Sequence, residues 1–249
     1  MTTFDKREEG FEKKFAHDEE LRFKATARRN KLLGLWARTG SRRFSLAEAA
    51  TWYEGKDFTF DWTSWHFPNW VKLLRARRTR RLRVLEIGSW EGRSALFFLN
   101  HLPNATLTCI DTFAGGQEHQ EAAARSAKDT RVLRTVEKRF DANTRAFRKR
   151  IEKLKSNSTD ALVALGLKDR RFDVAYIDGG HRASEVYSDG MLTWPLMKRG
   201  GLMIFDDYQW DEMPRKMDNP GSGIDAFLKA VEGQYRLVLD SYQIGIVKR

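Results

Sequence analysis

The sequence predicts an α/β protein: a doubly wound, seven-stranded, mostly parallel sheet that ends in an antiparallel hairpin and follows a long charged helix. Three observations predict it. From Leu82 onward, short apolar runs alternate with helical stretches, which implies a parallel sheet with helices on both faces. The end departs from that rhythm, because "YRLVLD" and "IGIVKR" are separated only by "SYQ" and read as a hairpin. Residues 4–37 instead interleave acids and bases around sparse apolar points, the pattern of one exposed helix.

In chain order, the arm occupies residues 1–40. A helical and aromatic segment, 41–81, comes next. It holds a short helix in "LAEAATWYEG" and then "FTFDWTSWHFPNW" (58–70), with Trp62, Trp65 and Trp70. Those rings serve either as a plug on the core or as a lid over a site for flat or sugar-like ligands. Residues 82–249 form the main domain. Strands are expected at 82–87, 105–110, 151–155, 172–177 and 201–205. Helices are expected at 92–101, 116–150 (broken), 159–166, 182–198 and 222–232.

Bulk properties narrow the function. With 249 residues, 41% of them hydrophobic, the chain can bury a substantial core. No apolar run approaches the roughly 20 residues that cross a bilayer, so membrane insertion is not expected. Cys109 is the one cysteine, which excludes an internal disulfide and fits a reducing, cytoplasmic setting. The net charge of +11 invites a nucleic-acid reading. Its clusters, Arg75–Arg83 and Lys138–Lys155, lie in helical patterning, where a basic face is ordinarily solvated. No RNA-binding module accompanies them, and a nucleic-acid substrate is not expected.

The chemistry gathers where strands end, since ligands of open α/β sheets sit beyond the carboxyl ends of the strands. The first strand runs into Glu86-Ile87-Gly88-Ser89-Trp90-Glu91-Gly92. The second ends in Asp111, the fourth in Asp178 with His181 close behind, and the fifth in Asp206-Asp207. The glycine loop reads E-x-G-x-x-x-G, not the G-x-G-x-x-G of dinucleotide binders. A carboxylate at Glu86, under a ligand, repels phosphate and suits a cation. Gly88 and Gly92 allow close backbone approach, and Asp111 is placed to accept from ribose hydroxyls. A ribose with a positive centre and no phosphate describes S-adenosylmethionine (SAM).

The segment "VLEIGSWEGRSALFFL … CIDTFAGG … FDVAYIDGGHRASEVYSDGMLTWPLMKRGGLMIFDDY" resembles class I SAM-dependent methyltransferases, which are Rossmann-like. More narrowly, it is similar to the small-molecule group carrying IDGxH and GGxxxxDD. The resemblance covers residues 82–248. It implies cofactor contacts from Glu86, Gly88, Ser89, Gly92, Asp111, Thr112 and Asp178. It also implies a divalent metal, Mg²⁺, on Asp178, Asp206 and Asp207, with His181 as the base for a hydroxylated small-molecule or sugar acceptor. Three carboxylates do form a hard oxygen site, and an imidazole can take a proton near neutrality. Capping remains the alternative for Asp206-Asp207, and a helix cap or a carbonyl contact for His181. His66 and His119 are weaker base candidates. Adenine contacts are expected within Ser156–Asp160, where the pattern is poorest.

"MTTFDKREEGFEKKFAHDEELRFKATARRNKLLGLWA" resembles the N-terminal part of the zeta subunit, an inhibitor of the F-type ATPase in alphaproteobacteria. The resemblance runs from Met1 to Ala37 and implies an ATPase contact through helix-in-groove docking. Three functions therefore compete: a SAM-dependent O-methyltransferase, an ATPase-regulating binding protein, and an RNA methyltransferase.

Overall fold

The structure is a computed structural model, and it describes residues 46–249. The expected arm over 4–37 lies outside them. The described chain opens with helix α1 (Leu46–Thr51). The aromatic segment then leads into α2 (Phe67–Leu74), with Pro68 in the first turn, where a missing N–H leaves no bond unmade. There follow β1 (Arg83–Ile87), α3 (Arg93–His101) and β2 (Thr106–Asp111). Helices α4 (Gln117–Arg125), α5 (Ala127–Leu133) and α6 (Val136–Thr144) precede β3 (Ile151–Lys155). Then come α7 (Ser158–Leu167), β4 (Phe172–Ile177), α8 (Ala183–Thr193) and β5 (Met197–Phe205). The last elements are α9 (Pro220–Ala230), β6 (Tyr235–Asp240) and β7 (Ile244–Lys248).

The seven strands form one sheet in the order β3-β2-β1-β4-β5-β7-β6. β1 to β5 pair in parallel. β7 lies antiparallel to both β5 and β6, as the hairpin predicts. Strand order reverses between β1 and β4, and a ligand crevice belongs above that point.

Strand periodicity divides the core. Val84, Cys109, Tyr176 and Ile204 face one layer, while Leu85, Ile110, Ala175 and Phe205 face the other. Helices cover both faces, so the central strands are apolar throughout. On the first face, the Trp70 ring lies 5.1 Å from Phe97, 5.1 Å from Phe98 and 4.8 Å from Tyr176. Its indole N–H donates to Gln243 at 2.8 Å, which satisfies a buried donor. The second half of the aromatic segment is therefore core.

Two element boundaries differ from expectation. The helix expected over 182–198 stops at Thr193, and Trp194–Leu196 forms a 3₁₀ turn containing Pro195. Proline cannot continue the helical hydrogen-bond ladder, so β5 starts at Met197 and not at 201. The broken stretch 116–150 is three helices and a 3₁₀ turn. One break falls at Ser126, whose hydroxyl accepts from the Asp129 N–H and caps α5.

Candidate active site

Backbone hydrogen bonds stitch the strand tips together. Gly88 N–H donates to Ile110 O, Asp178 N–H to Ile87 O, and Asp206 N–H to Ile177 O, at 2.8–2.9 Å. The tips of β2, β1, β4 and β5 are therefore neighbours. A cavity of about 260 Å³ opens above them. Gly88, Asp111 and Thr112 line it from one side, and Asp178 and His181 from the other. Ser156–Ser158 line it from the β3 end.

Asp111 is held by two backbone donors. Trp90 N–H donates to Oδ2 at 2.7 Å and Phe113 N–H to Oδ1 at 2.6 Å. Burial still raises its pKa above the ordinary aspartate value. Its remaining lone pairs can accept ligand hydroxyls.

Glu86, Ser89 and Gly92 are not among the residues lining the cavity. Strand parity explains Glu86, which shares the face of Val84 and is fully buried beneath the loop. Its Oε2 accepts from Ser89 Oγ at 2.6 Å and from Cys109 Sγ at 3.4 Å. Burial pushes its pKa up to about 7 against those bonds. Glu86 therefore ties down the glycine loop from below and does not stand in the cleft. Gly92 begins α3 at φ +83°, with Phe140 and Thr144 against it, so its freedom serves packing.

The acidic tips split into two tiers. Asp178, His181 and Asp207 each offer one ligand atom, and these atoms lie within 4.8 Å of one another. His181 Nε2 is 3.1 Å from Asp207 Oδ2, and Tyr242 donates to Asp207 Oδ1 at 2.9 Å. Asp206 stands behind that cluster. One oxygen accepts from Tyr176 and the other from the Asp207 N–H at 2.8 Å. His66 Nε2 is 3.3 Å from Asp206 Oδ1. Burial opposes ionisation of Asp206, yet His66 and the hydrogen bonds bring its pKa below the ordinary value. Asp178 moves the other way: burial raises it, and the carboxylates of Asp206 and Asp207 add to the rise. Tyr176 also donates to Asp178 at 2.8 Å, so one phenol joins the tiers. His66 is buried between Trp65 and Trp70, a supporting position for the carboxylates.

The aromatic segment has a second attachment. Buried Glu91 accepts from Thr59 N–H and from Arg139 at 2.9 Å. Asn143 bonds Asp57 N and O at 2.9 and 2.8 Å, and Glu91 O at 3.0 Å. These ties set Trp62 at the cavity, 5.7 Å from the Trp90 ring and 5.8 Å from His119. The segment thus both plugs the core and walls the cleft. Sequence reasoning missed Tyr176, Tyr242, Glu91 and Arg139, whose partners lie far away along the chain.

Residues 85–208 match the model of a methyltransferase domain family. The body of this chain is a methyltransferase domain. Its fold is that of class I SAM-dependent enzymes. Residues 1–51 match the ATPase inhibitor subunit zeta family, beyond the Ala37 at which the resemblance was expected to stop. No curated protein matches the chain. Among solved structures, the methyltransferase domain superposes on MycE of the mycinamycin biosynthetic pathway, in complex with Mg, SAH and mycinamycin VI. That match has a TM-score of 0.59 and 18% identity, and covers 84% of this chain and 56% of that one. The chain thus spans little more than half the length of MycE. A caffeoyl-CoA O-methyltransferase candidate from Staphylococcus aureus matches at TM-score 0.54 and 16% identity, over 90% of this chain and all of its own. Among the described residues, no helix is long and apolar enough to cross a membrane.

Proposed function

We propose that this domain transfers the methyl group of SAM to an oxygen of a hydroxylated small molecule or sugar, with His181 as base and a divalent cation at the acidic tips. The observation that carries the reading is the convergence of Asp178, His181 and Asp207 on one point of the cavity that Asp111 also lines. Asp111 would accept from the ribose, and Gly88 and Thr112 would bound the cofactor.

The donor set fits a hard cation. Two carboxylates supply oxygen, and Tyr242 orients one of them while Tyr176 orients the other. MycE, with its Mg and SAH, supports that reading by analogy. Bound Mg²⁺ would lower the pKa of an acceptor hydroxyl. Asp178 and Asp207 hold the site, and Asp206, through Tyr176, keeps Asp178 in place. His181 takes the hydroxyl proton, the acceptor oxygen forms a bond to the methyl carbon, and the carbon–sulfur bond breaks. Neutral S-adenosylhomocysteine leaves. A reducing, cytoplasmic setting agrees with the lone buried Cys109.

Calorimetry with SAM on the purified chain, followed by an assay for acceptors gaining one CH₂, tests the proposal. Binding of SAM with metal-stimulated turnover is the expected result. An absence of SAM binding refutes it.

A second reading rests on the zeta match at residues 1–51. In it, the N-terminal part contacts an F-type ATPase. A peptide of residues 1–45 should then inhibit ATP hydrolysis, and no inhibition at high concentration removes this reading.

A further inference from the structure

Asp189 lies in α8, is 2% exposed, and yet lines the cavity. A carboxylate in that position is costly unless something uses it. The Ser158 hydroxyl, at the start of α7, donates to it. Gly179 is the wall between Asp189 and the tip of β1. A Cβ on Gly179 would lie 3.2 Å from Asp189 Oδ2 and 3.1 Å from Ile87 Cγ2. The bare backbone is what lets the carboxylate reach the cavity surface. Burial pushes the Asp189 pKa up to about 6, with Glu185 adding to the rise, so the group is still largely ionised and acceptor-only at neutral pH.

The sheet order says what would meet it. The tip of β3 adjoins the tip of β2, where Asp111 stands. A nucleoside whose ribose rests on Asp111 directs its base toward Ser156–Ser158 and Asp189, all of which line the same cavity. We infer that Asp189 accepts a hydrogen bond from the exocyclic amino group of the cofactor's purine, with Ser158 holding the carboxylate in position. The inference rests on the proposed SAM site and adds the residue that selects the base. A 6-oxo purine would set one acceptor against another, and an unpaired buried acceptor is strongly penalised.

The test is calorimetry on the full chain with S-adenosylhomocysteine and S-inosylhomocysteine, comparing wild type with Asp189→Asn and Asp189→Ala. Wild type is expected to prefer the adenine form by about tenfold or more. Asp189→Asn, whose amide can turn a donor toward the oxo group, should bring the two affinities within about threefold of each other. Asp189→Ala should lose mainly the adenine form. If the alanine variant does not fold, the near-isosteric asparagine carries the comparison, with a thermal melt as control. Equal wild-type affinities, or an unchanged ratio in folded Asp189→Asn, overturn this inference alone. A wild type that binds neither nucleoside overturns the cofactor reading with it.

Discussion

Gly88 presses its backbone against the carbonyl of Asp178, so that a Cβ on Gly88 would fall inside that oxygen. The contact joins the tip of β1 to the tip of β4 at the point where the strand order reverses. Gly88 also sits at φ +83°, where an L side chain is strained. Gly88→Ala should cost about 2–4 kcal/mol in chemical denaturation, from overpacking plus backbone strain. It should also lower SAM affinity in any fraction that folds. An alanine variant as stable as wild type would show that the strand tips are not in contact.

Glu86 sets a pH dependence. Its folded-state pKa of about 7 lies above the ordinary 4.5, so the folded state binds the extra proton. Stability contributed by the neutral acid is complete below about pH 4.5 and is lost as pH rises to about 7, a change on the order of 3 kcal/mol. Glu86→Gln, which cannot ionise, should melt with wild type near pH 4.5 and above it at pH 8. Parallel melting curves at the two pH values would contradict the assignment.

The acidic tips and the cofactor cleft should separate by mutation. Asp207→Ala should weaken Mn²⁺ or Mg²⁺ binding at least about 10- to 100-fold in titration calorimetry and leave SAM affinity near wild type. His181→Ala should keep SAM affinity while turnover drops about 10²–10⁴-fold. Loss of SAM binding in both variants would mean that these residues hold the cofactor and not the acceptor chemistry.

Arg139 and Trp62 test the aromatic segment. Arg139→Met leaves the buried Glu91 carboxylate without its ion pair and should cost about 3 kcal/mol. Trp62 is 49% exposed, so Trp62→Ala should change stability by less than about 1 kcal/mol. Ligand affinity in Trp62→Ala should nevertheless fall about five- to tenfold through the lost ring surface, read by calorimetry. Unchanged affinity would make Trp62 mere covering.

Much of this was legible in the chain. Alternating apolar runs located the strands, and "SYQ" between two short strands announced the antiparallel end. Asp111, Asp178 and Asp207 declared themselves by ending strands. Glu86 was misplaced because proximity to the strand end outweighed parity, and counting from Val84 would have put it on the buried face. Asp189 left no signal, since an acid in "SEVYSDGML" looks the same whether it faces solvent or a cavity. The pairing of Tyr176 with Asp206 and of Glu91 with Arg139 depends on which strands and helices become neighbours, and local patterns do not encode that.

Helix α1 belongs to both family matches at once. It closes the zeta-like stretch at residue 51, and its Ala49 is 3% exposed within the first-face core, beside Trp52 and Tyr53. The seam between the two ancestries is therefore not a hinge in the molecule. A deletion drawn at the genealogical border would uncover the enzyme's interior, whereas one drawn before Leu46 would leave that interior sealed.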